Sequence, residues 1–389
     1  MTDSLLPYGR QWIDEEDIAE VVAILRGDWM TQGPTVAAFE KALAEYCGAR
    51  FAVAVSNGTA ALHLACLAAG VGHGDFGITS PITFVASANC IAYCGGTPSF
   101  VDVDTHTISI DVTELERACR QQRPKVIIPV DFSGLPANLP EIHRIARKYD
   151  AVVIEDAAHS LGASYESDGV KYKTASCVHA DMAILSFHPV KHITTGEGGA
   201  ILTNDPELYA RLSDLRTHGI TKDASRLSRN DGPWYHEQQS LGYNYRITDL
   251  QCALGISQLR KLDSFVQRRR HLVSLYQQLL SDVADKVSLL TDAPERYSSY
   301  HLMVARVNGG ATVRRRVFDH LFSKNIRVQV HYIPVPLQPW YRQTLGFSEG
   351  QFPNAEAYYE TCLSLPLFPA MTDADVERVV TEFRAALNE

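Results

Sequence analysis

The sequence lacks the features that mark several large classes of protein. Its eight cysteines form no Cys-x-x-Cys pair and no zinc-type spacing with histidine, so neither a disulfide scaffold nor a zinc module is expected. Acidic residues outnumber basic ones, 45 to 36, and the net charge of −9 argues against a general nucleic-acid binder, which needs a basic face. No apolar run approaches the ~18 residues of a membrane span. The first residues also lack the basic start and apolar stretch of a signal peptide, so we expect a cytoplasmic protein.

The spaced glycines of a dinucleotide-binding fingerprint are missing as well, but residues 51–62 have a related arrangement. An apolar run at 51–55 predicts a strand, Gly58 predicts a tight turn, and the residues that follow predict a helix. At such a turn, backbone N–H groups and the helix dipole form a site for an anion, to which Thr59 adds a hydroxyl donor. Alone, this motif is weak evidence of a phosphate site.

Lys191 is on a loop, residues 186–199, between two apolar runs that predict buried strands. A desolvated amine loses part of its preference for the protonated form and becomes a nucleophile toward an aldehyde. A lysine in this position can also simply cap the end of a loop. Three histidines are close in sequence, His179, His188 and His192, but we expect no metal site among them.

A carboxylate follows the apolar run 151–154, which predicts a strand buried on both faces. Asp156, at the carboxyl end of this strand, lies where open α/β sheets bind their ligands. Such an acid is also a common helix cap or metal ligand. Pyridoxal phosphate needs an anion there, because an Asp paired with the ring nitrogen keeps the pyridinium protonated. The turn at Gly58, then Asp156, then Lys191 follow one another in the order of a pyridoxal phosphate enzyme, so together they predict this cofactor.

Helical patterns alternate with short apolar runs along most of the chain. Asp14 and its acidic neighbours predict the start of one helix, Gly27 its end, and Pro34 the start of another. The clearest strands are predicted at residues 126–130, 152–154, 182–185 and 200–202. This alternation predicts an α/β fold in which a mainly parallel sheet is covered by helices on both faces.

With 389 residues, 46% of them hydrophobic, the chain is long enough for two domains. We place a large domain at residues 1–255 and a smaller α+β domain at 256–389, on which the N-terminal segment can also pack. Near the boundary, residues 247–280 predict one or two long helices. Further strands are predicted at 301–307 and 328–333.

A resemblance covers residues 8–369, nearly the whole chain. Its most specific stretches are residues 31–34, 155–159, 186–199 and 241–246. On these stretches the chain resembles the DegT/DnrJ/EryC1/StrS family of sugar-nucleotide aminotransferases, which are fold-type-I pyridoxal phosphate enzymes. Within the family, the segments most similar to the pseudaminic-acid branch are residues 80–89, 193–195 and 328–332. The resemblance implies a three-layer α/β/α large domain and a smaller C-terminal domain.

Three catalytic roles follow from the resemblance. Lys191 would bind the cofactor aldehyde covalently and, once released, carry a proton as base and acid in turn. Asp156 would hold the pyridinium nitrogen. His159 would bond the cofactor phenolate at a position where most of the family has Gln; otherwise it is a satisfied turn histidine.

Other residues would bind the cofactor without taking part in proton transfer. Ser186 would reach the phosphate together with Gly58 and Thr59 at the start of the helix. Phe84 would stack on the cofactor ring; alternatively it is a core aromatic beside Pro81.

The resemblance also implies that the active site is shared within a homodimer. Asn244 and Arg246 would be supplied by the neighbouring subunit, Asn244 to the cofactor and both to the substrate. The polar segment 221–239 has no period and is expected to be a loop near a subunit contact or the mouth of the site. The positions that would contact the sugar nucleotide are Tyr8, Asp28, Trp29, Met30, Thr31, Ser186, Asn244, Arg246, Gln329, Val330, His331 and Tyr332.

The resulting hypothesis is transfer of an amino group from L-glutamate to the C4 ketone of a UDP-linked 2-acetamido-2,6-dideoxy sugar of L-arabino configuration. The product would be UDP-4-amino-4,6-dideoxy-N-acetyl-β-L-altrosamine, a precursor of pseudaminic acid. A related enzyme for another UDP-4-keto sugar, of the bacillosamine or 4-aminoarabinose type, is the alternative. A dehydratase on the same fold is disfavoured because that group usually replaces the lysine with histidine, and a cofactor-binding regulator without turnover is disfavoured because the chain retains Lys191.

Overall fold

The computed structural model describes residues 4–388. Its helices are α1 (Glu15–Arg26), α2 (Pro34–Cys47), α3 (Gly58–Ala68), α4 (Ala86–Tyr93), α5 (Val112–Gln122), α6 (Leu139–Tyr149), α7 (Pro206–Arg216), α8 (Asp249–Leu279), α9 (Gly310–Ser323), α10 (Pro339–Leu345), α11 (Pro353–Thr361) and α12 (Asp373–Asn388). Its strands are β1 (Phe51–Val55), β2 (Phe76–Thr79), β3 (Thr97–Phe100), β4 (Val126–Ile128), β5 (Val152–Asp156), β6 (Ser164–Ser167), β7 (Val170–Lys173), β8 (Met182–Ser186), β9 (Gly199–Thr203), β10 (Ile220–Thr221), β11 (Glu237–Gln238), β12 (Val287–Leu289), β13 (Arg296–Tyr297), β14 (Met303–Val307) and β15 (Cys362–Leu365).

Helix α1 begins and ends, and helix α2 begins, where the sequence predicts. The Asp14 carboxylate accepts from the Asp17 backbone N–H at 3.1 Å, and the Asp17 carboxylate accepts from the Asp14 N–H at 3.1 Å. This reciprocal capping box satisfies two N–H groups that the first turn leaves without helical partners. Gly27 caps the end of α1, and Pro34 is the first residue of α2.

The central sheet has seven strands in the order β1-β9-β8-β5-β4-β2-β3. Strands β8, β5, β4, β2 and β3 are parallel to one another, whereas β9 is antiparallel to both β8 and β1. Apolar side chains of the sheet alternate between two layers. Those on one face pack against α3, α4 and α7, and those on the other pack against α2, α5, α6 and α8. The predicted α/β fold with a mainly parallel sheet is confirmed.

The chain after residue 247 differs from the prediction at one element. Helix α8 is a single helix of 31 residues, and β14 lies within the strand predicted at 301–307. The strand predicted at residues 328–333 is wrong. Only Gln329 pairs with another strand residue, in an isolated bridge to Ser364. The chain then leaves β15, and the His331 carbonyl accepts from the Tyr358 hydroxyl at 2.9 Å instead of from a strand neighbour.

The N-terminal segment packs on the C-terminal part of the chain. Leu6 donates its N–H to the Asn325 carbonyl at 2.9 Å, and its carbonyl accepts from the Arg327 N–H at 2.9 Å. Residue 255, the predicted boundary, lies inside helix α8, which therefore passes from one part of the molecule to the other. The division at 1–255 and 256–389 stays a prediction.

Segment 221–239 is anchored as a ribbon. Its ends pair through the antiparallel strands β10 and β11, and Arg226 forms an ion pair with Asp214 of α7. Trp234 projects from it with 72% of its surface exposed. Its placement beside a subunit contact or the mouth of the site stays a prediction.

No helix within residues 4–388 has both the length and the apolar composition needed to cross a bilayer.

Candidate active site

A cavity of about 800 Å³ opens at the carboxyl ends of β5 and β8, beside the start of α3. We call it the central cavity. Among the residues of its wall are ten that the sequence predicts for the site: Tyr8, Gly58, Thr59, Phe84, Asp156, His159, Ser186, Lys191, His331 and Tyr332. The structure thus brings together the predicted lysine, carboxylate and anion turn, although Asp156 and Lys191 are 35 positions apart in the sequence.

Eight predicted site residues are outside the central cavity of their own chain: Asp28, Trp29, Met30, Thr31, Asn244, Arg246, Gln329 and Val330. Residues 28–31 are held elsewhere, because the Met30 carbonyl accepts from the Asp249 N–H at 3.0 Å and Thr31 pairs with Thr248. Gln329 is tied to Ser364 by its backbone. The position of Asn244 and Arg246 agrees with their expected use by a neighbouring subunit, which stays a prediction.

The turn before α3 has the geometry of a phosphate cradle. The Asn57 side chain caps the helix by accepting from the Ala60 N–H at 2.8 Å. A Cβ atom at Gly58 would lie 3.0 Å from the Cβ of Ser186, so glycine lets the two cavity walls approach closely. The first N–H groups of a helix have no partner within it and carry the positive end of its dipole. This turn therefore fits the phosphate of pyridoxal phosphate.

The Asp156 carboxylate is buried and firmly oriented. Its Oδ2 atom accepts from the Ser87 hydroxyl at 2.6 Å, and its Oδ1 atom accepts from the Ala158 N–H at 3.2 Å. Burial raises the pKa of Asp156, while these two hydrogen bonds and the positive charge of Lys191 oppose the shift. A fixed, desolvated carboxylate of this kind fits a protonated pyridinium. Ser87 was not predicted, since nothing local in the sequence relates it to a residue 69 positions away.

Lys191 is half-buried in the wall of the central cavity. Burial lowers the pKa of its amine from the ordinary 10.5 to about 8, and the negative charge of Asp156 opposes this shift. A substantial fraction of Lys191 is therefore neutral near pH 8. A neutral amine is the nucleophilic form toward an aldehyde, as the covalent attachment of the cofactor requires.

We expect the covalent attachment of pyridoxal phosphate to the apoenzyme to follow this titration. Because Lys191 has its pKa near 8, the attachment rate should rise about tenfold per pH unit below pH 8 and level off above it. Stopped-flow absorbance from about pH 6 to about pH 10 measures the rate. The matched variant Asp156→Asn should move the midpoint below 8, since the removed charge favours the ammonium form. A wild-type midpoint near 10.5, the pKa of an ordinary lysine, would contradict the assignment.

His159 belongs to a cluster of aromatic rings beside Lys191. Its Nε2 atom is 3.3 Å from the Tyr332 hydroxyl, and its ring centroid is 4.4 Å from that of His301. Burial holds the pKa of His159 and that of His301 well below the usual range, so both rings are neutral. Among the described residues, His159 Nδ1 is buried and has no hydrogen-bond partner. His301 was not predicted, because a histidine before an apolar run is not distinctive.

Further wall residues were also not predicted: Asn57, Thr83, Tyr93, Glu197 and Tyr245. Within residues 4–388, no group of three or more His, Cys, Asp or Glu side chains is arranged to hold a metal ion.

Comparisons with known proteins agree on one family. The model of the DegT/DnrJ/EryC1/StrS aminotransferase family matches residues 11–384. The spore coat polysaccharide biosynthesis protein SpsC of Bacillus subtilis is 38% identical over 97% of this chain and 96% of its own. The UDP-4-amino-4-deoxy-L-arabinose–oxoglutarate aminotransferase of Shewanella sediminis is 36% identical over 100% of this chain and 99% of its own.

Two solved structures have the same fold throughout. The putative sugar aminotransferase Spr1654 from Streptococcus pneumoniae, in its PMP form, superimposes with a TM-score of 0.91 at 30% identity, covering 98% of this chain and 99% of the other. Helicobacter pylori PseC, an aminotransferase involved in the biosynthesis of pseudoaminic acid, gives a TM-score of 0.90 at 28% identity, covering 99% and 100%. The cradle, the carboxylate and the lysine of the central cavity are therefore found in a chain whose relatives are sugar aminotransferases.

Proposed function

Because the chain belongs to the DegT/DnrJ/EryC1/StrS aminotransferase family and is a pyridoxal phosphate-dependent sugar aminotransferase, we propose that its acceptor is the C4 ketone of UDP-2-acetamido-2,6-dideoxy-β-L-arabino-hexos-4-ulose, with L-glutamate as donor. The product is then UDP-4-amino-4,6-dideoxy-N-acetyl-β-L-altrosamine, and the pathway is that of pseudaminic acid. One observation supports the chemistry above all others, namely that Lys191 and Asp156 face one cavity beside the cradle of α3.

Each of these cavity residues would have a separate role in amino transfer. When bound, pyridoxal phosphate would supply the aldehyde that carries the amino group and a ring that accepts electrons. Lys191 would anchor the aldehyde and, with a pKa of about 8, can take up and release a proton at Nζ near neutral pH. Asp156 would hold the pyridinium nitrogen, and the first turn of α3 would bind the phosphate. The neutral His159, in the cavity wall with Lys191, would bond the phenolate oxygen.

The sugar half of the proposal rests on three residues in the wall of the central cavity. Tyr8, His331 and Tyr332 line it, and the ring of His331 lies 5.6 Å from that of Tyr8 and 4.8 Å from that of Tyr332. His331 is held in place by its Nδ1 atom, 2.8 Å from the Ser364 hydroxyl. Such a rigid polar and aromatic wall suits a sugar ring. The similarity to PseC in fold, together with the resemblance of residues 328–332 to the pseudaminic-acid branch, supports the L-arabino sugar.

A second candidate acceptor is a UDP-4-keto-arabinose. The observation that favours it is the 36% identity to the Shewanella sediminis aminotransferase, which is higher than the 28% identity to PseC. The two substrates differ in the groups at C2 and C5, so only the acceptor pocket has to discriminate them. The chemistry at Lys191 is common to both.

Product identification decides between these acceptors. The purified holoenzyme is given glutamate and, in separate reactions, the two C5-epimeric UDP-4-keto-6-deoxy-N-acetyl sugars and a UDP-4-keto-arabinose, and the products are identified by NMR. The proposal expects the highest kcat/KM with the L-arabino epimer and an amino group at C4. A higher kcat/KM with UDP-4-keto-arabinose would replace the proposed acceptor by the second. No consumption of glutamate with any acceptor would leave the sugar assignment without support.

We further propose a homodimer in which Asn244 and Arg246 complete the site of the neighbouring subunit. The variants Lys191→Ala and Arg246→Ala should each be nearly inactive alone. Mixed by co-expression, they should recover about a quarter of the wild-type activity, because half of the dimers then contain one intact site of two. When differential affinity tags isolate the mixed dimers, the purified fraction should have about half of the wild-type activity. If Arg246 acted within its own chain, every site would keep a defect and no activity would return.

A further inference from the structure

Two buried carboxyl groups lie next to Asp156 and are not used by the chemistry above. Asp131 follows β4 and is 0% exposed, and Glu155 of β5 is 1% exposed. Their carboxyl groups are within hydrogen-bonding reach of each other. Two desolvated carboxylates in contact cannot both be ionised, because their repulsion in a medium of low polarity is large. The pair therefore holds one proton.

Hydrogen bonds assign that proton to Glu155. Both oxygens of Asp131 already accept: Oδ1 from the Ala137 N–H at 2.8 Å, and Oδ2 from the Ser160 hydroxyl at 2.6 Å. The two oxygens of Glu155 share a single donor, the Ala175 N–H, at 3.1 Å each. One Glu155 oxygen can thus carry a proton and donate it to Asp131, whereas a proton on Asp131 would weaken one of the bonds that its oxygens accept, because a protonated oxygen is a poorer acceptor.

Through these bonds, Asp131 fixes two segments that adjoin the wall of the central cavity. Ser160 is adjacent to His159, so the bond to its hydroxyl fixes the turn on which the His159 ring is mounted. The bond to Ala137 closes the loop 132–137. This loop supports the segment next to His301, because the Gly134 carbonyl accepts from the Ser299 N–H at 3.0 Å and the Leu302 carbonyl accepts from the Ser133 hydroxyl at 2.9 Å.

We propose that Asp131 is a positioning residue of the active site, kept ionised by a proton that Glu155 retains, and that it orients the rings of His159 and His301. The pair adds one negative charge behind Asp156 instead of two. Burial raises the pKa of Asp131 to about 6 and that of Glu155 well above its usual range. The proposal rests on the pyridoxal phosphate site and is independent of which sugar is the acceptor.

The surroundings supply little compensation for a second charge. The titratable and charged groups that face the pair from neighbouring elements are Asp156, Cys47, Cys177, Tyr165 and Arg296. Of these, only Arg296 is positive, and its guanidinium is directed to the Pro136 carbonyl at 3.4 Å. Ionisation of Glu155 is therefore costly. When folding raises the pKa of an acidic group, the folded protein loses stability as the pH rises through the folded-state pKa of that group.

Infrared spectroscopy of the wild-type holoenzyme tests the proton directly. A buried carboxylic acid has a C=O stretching band separate from those of carboxylates and amides. We expect this band at neutral pH and its loss in Glu155→Gln, whereas in Asp131→Asn, which removes the neighbouring charge, the band should disappear at a lower pH than in the wild type. Absence of the band in the wild type, its persistence in Glu155→Gln, or a band that survives to a higher pH in Asp131→Asn than in the wild type would each overturn the assignment. Because the resting protein is measured, the result does not depend on sugar transfer.

The same two variants form a matched pair for the positioning role. Glutamine in place of Glu155 keeps a donor toward Asp131, so Glu155→Gln should retain the wild-type kcat and the absorption spectrum of the bound cofactor. Its melting temperature relative to wild type should rise with pH, on the order of a few degrees between neutral and alkaline solution, because the titration is removed. Asp131→Asn, which replaces an acceptor by a donor, should shift the cofactor spectrum and lower kcat at least about tenfold with little change in the KM for glutamate.

If Glu155→Gln were impaired and Asp131→Asn unaffected, the proton would have to be assigned to Asp131, and the proposal would be refuted. Should Asp131→Asn fail to fold, Ser160→Ala takes its place. It removes only the bond between Asp131 and the His159 turn, and it should alter the cofactor spectrum while leaving the infrared band unchanged. An unchanged cofactor spectrum in both variants would show that the bond does not position His159.

Discussion

Replacement of Lys191 by alanine is expected to lower kcat by more than about 10⁴-fold. A positioned proton carrier contributes roughly 10²–10⁴ in rate, and the variant loses the covalent anchor of the cofactor as well. The measurement is kcat for glutamate consumption with a keto-sugar acceptor. Lys41→Ala is the control, since this lysine of α2 has a side chain that is 75% exposed and pairs only with Glu45 at 3.7 Å. It should retain full activity.

Covalent attachment gives an independent test of the same residue. Borohydride reduction of the wild-type holoenzyme followed by peptide mapping should place the cofactor label on Lys191 and on no other lysine. Lys191→Ala should take up no label under the same conditions. A label at another lysine, or an active Lys191→Ala enzyme, would refute the central role given to this amine.

The second large effect is expected from Asp156→Asn. Asparagine has the same size and can still accept from the Ser87 hydroxyl, but it lacks the charge that keeps the pyridinium protonated. Removal of a preorganised charge at a reacting group costs about 10²–10³ in rate, and we expect kcat to fall by that factor. Ser87→Ala is the matched control, since it deletes the 2.6 Å hydrogen bond and keeps the carboxylate. Its kcat should fall about tenfold or less. Equal losses in the two variants would mean that orientation, not charge, is what Asp156 provides.

The local parts of the structure could be predicted from the sequence. Caps such as Asp14 and Pro34 act within one turn, so the limits of α1 and the start of α2 follow from neighbouring residues. Short apolar runs place the buried strands, and a parallel sheet brings their carboxyl ends to one edge. For this reason the sequence predicts that Asp156 and Lys191 belong to one site.

Relations across long separations could not be predicted in this way. The bond from Ser87 to Asp156 spans 69 residues, and nothing near either residue indicates the other. The contact between His159 and His301 is of the same kind. The alternation of apolar and polar residues at 328–331 predicts a strand, and nothing in it reveals that the segment pairs once, at Gln329, before it lines the central cavity. Only the tertiary contacts of His331 and Tyr332 distinguish the two.

Helix α8 sets a limit on how enzymes of this fold can be recombined. A chimera joined at residue 255 would splice two parents inside one continuous helix, whose early part packs on α1 and α2 and whose later part packs on α12. A crossover after Leu279 leaves that helix whole and transfers His331 and Tyr332 as a set. Tyr8 would have to travel with them, since the N-terminal segment is hydrogen-bonded to residues 325–327. To exchange acceptor preference between relatives, the N-terminal segment and the chain after Leu279 must therefore be transferred together.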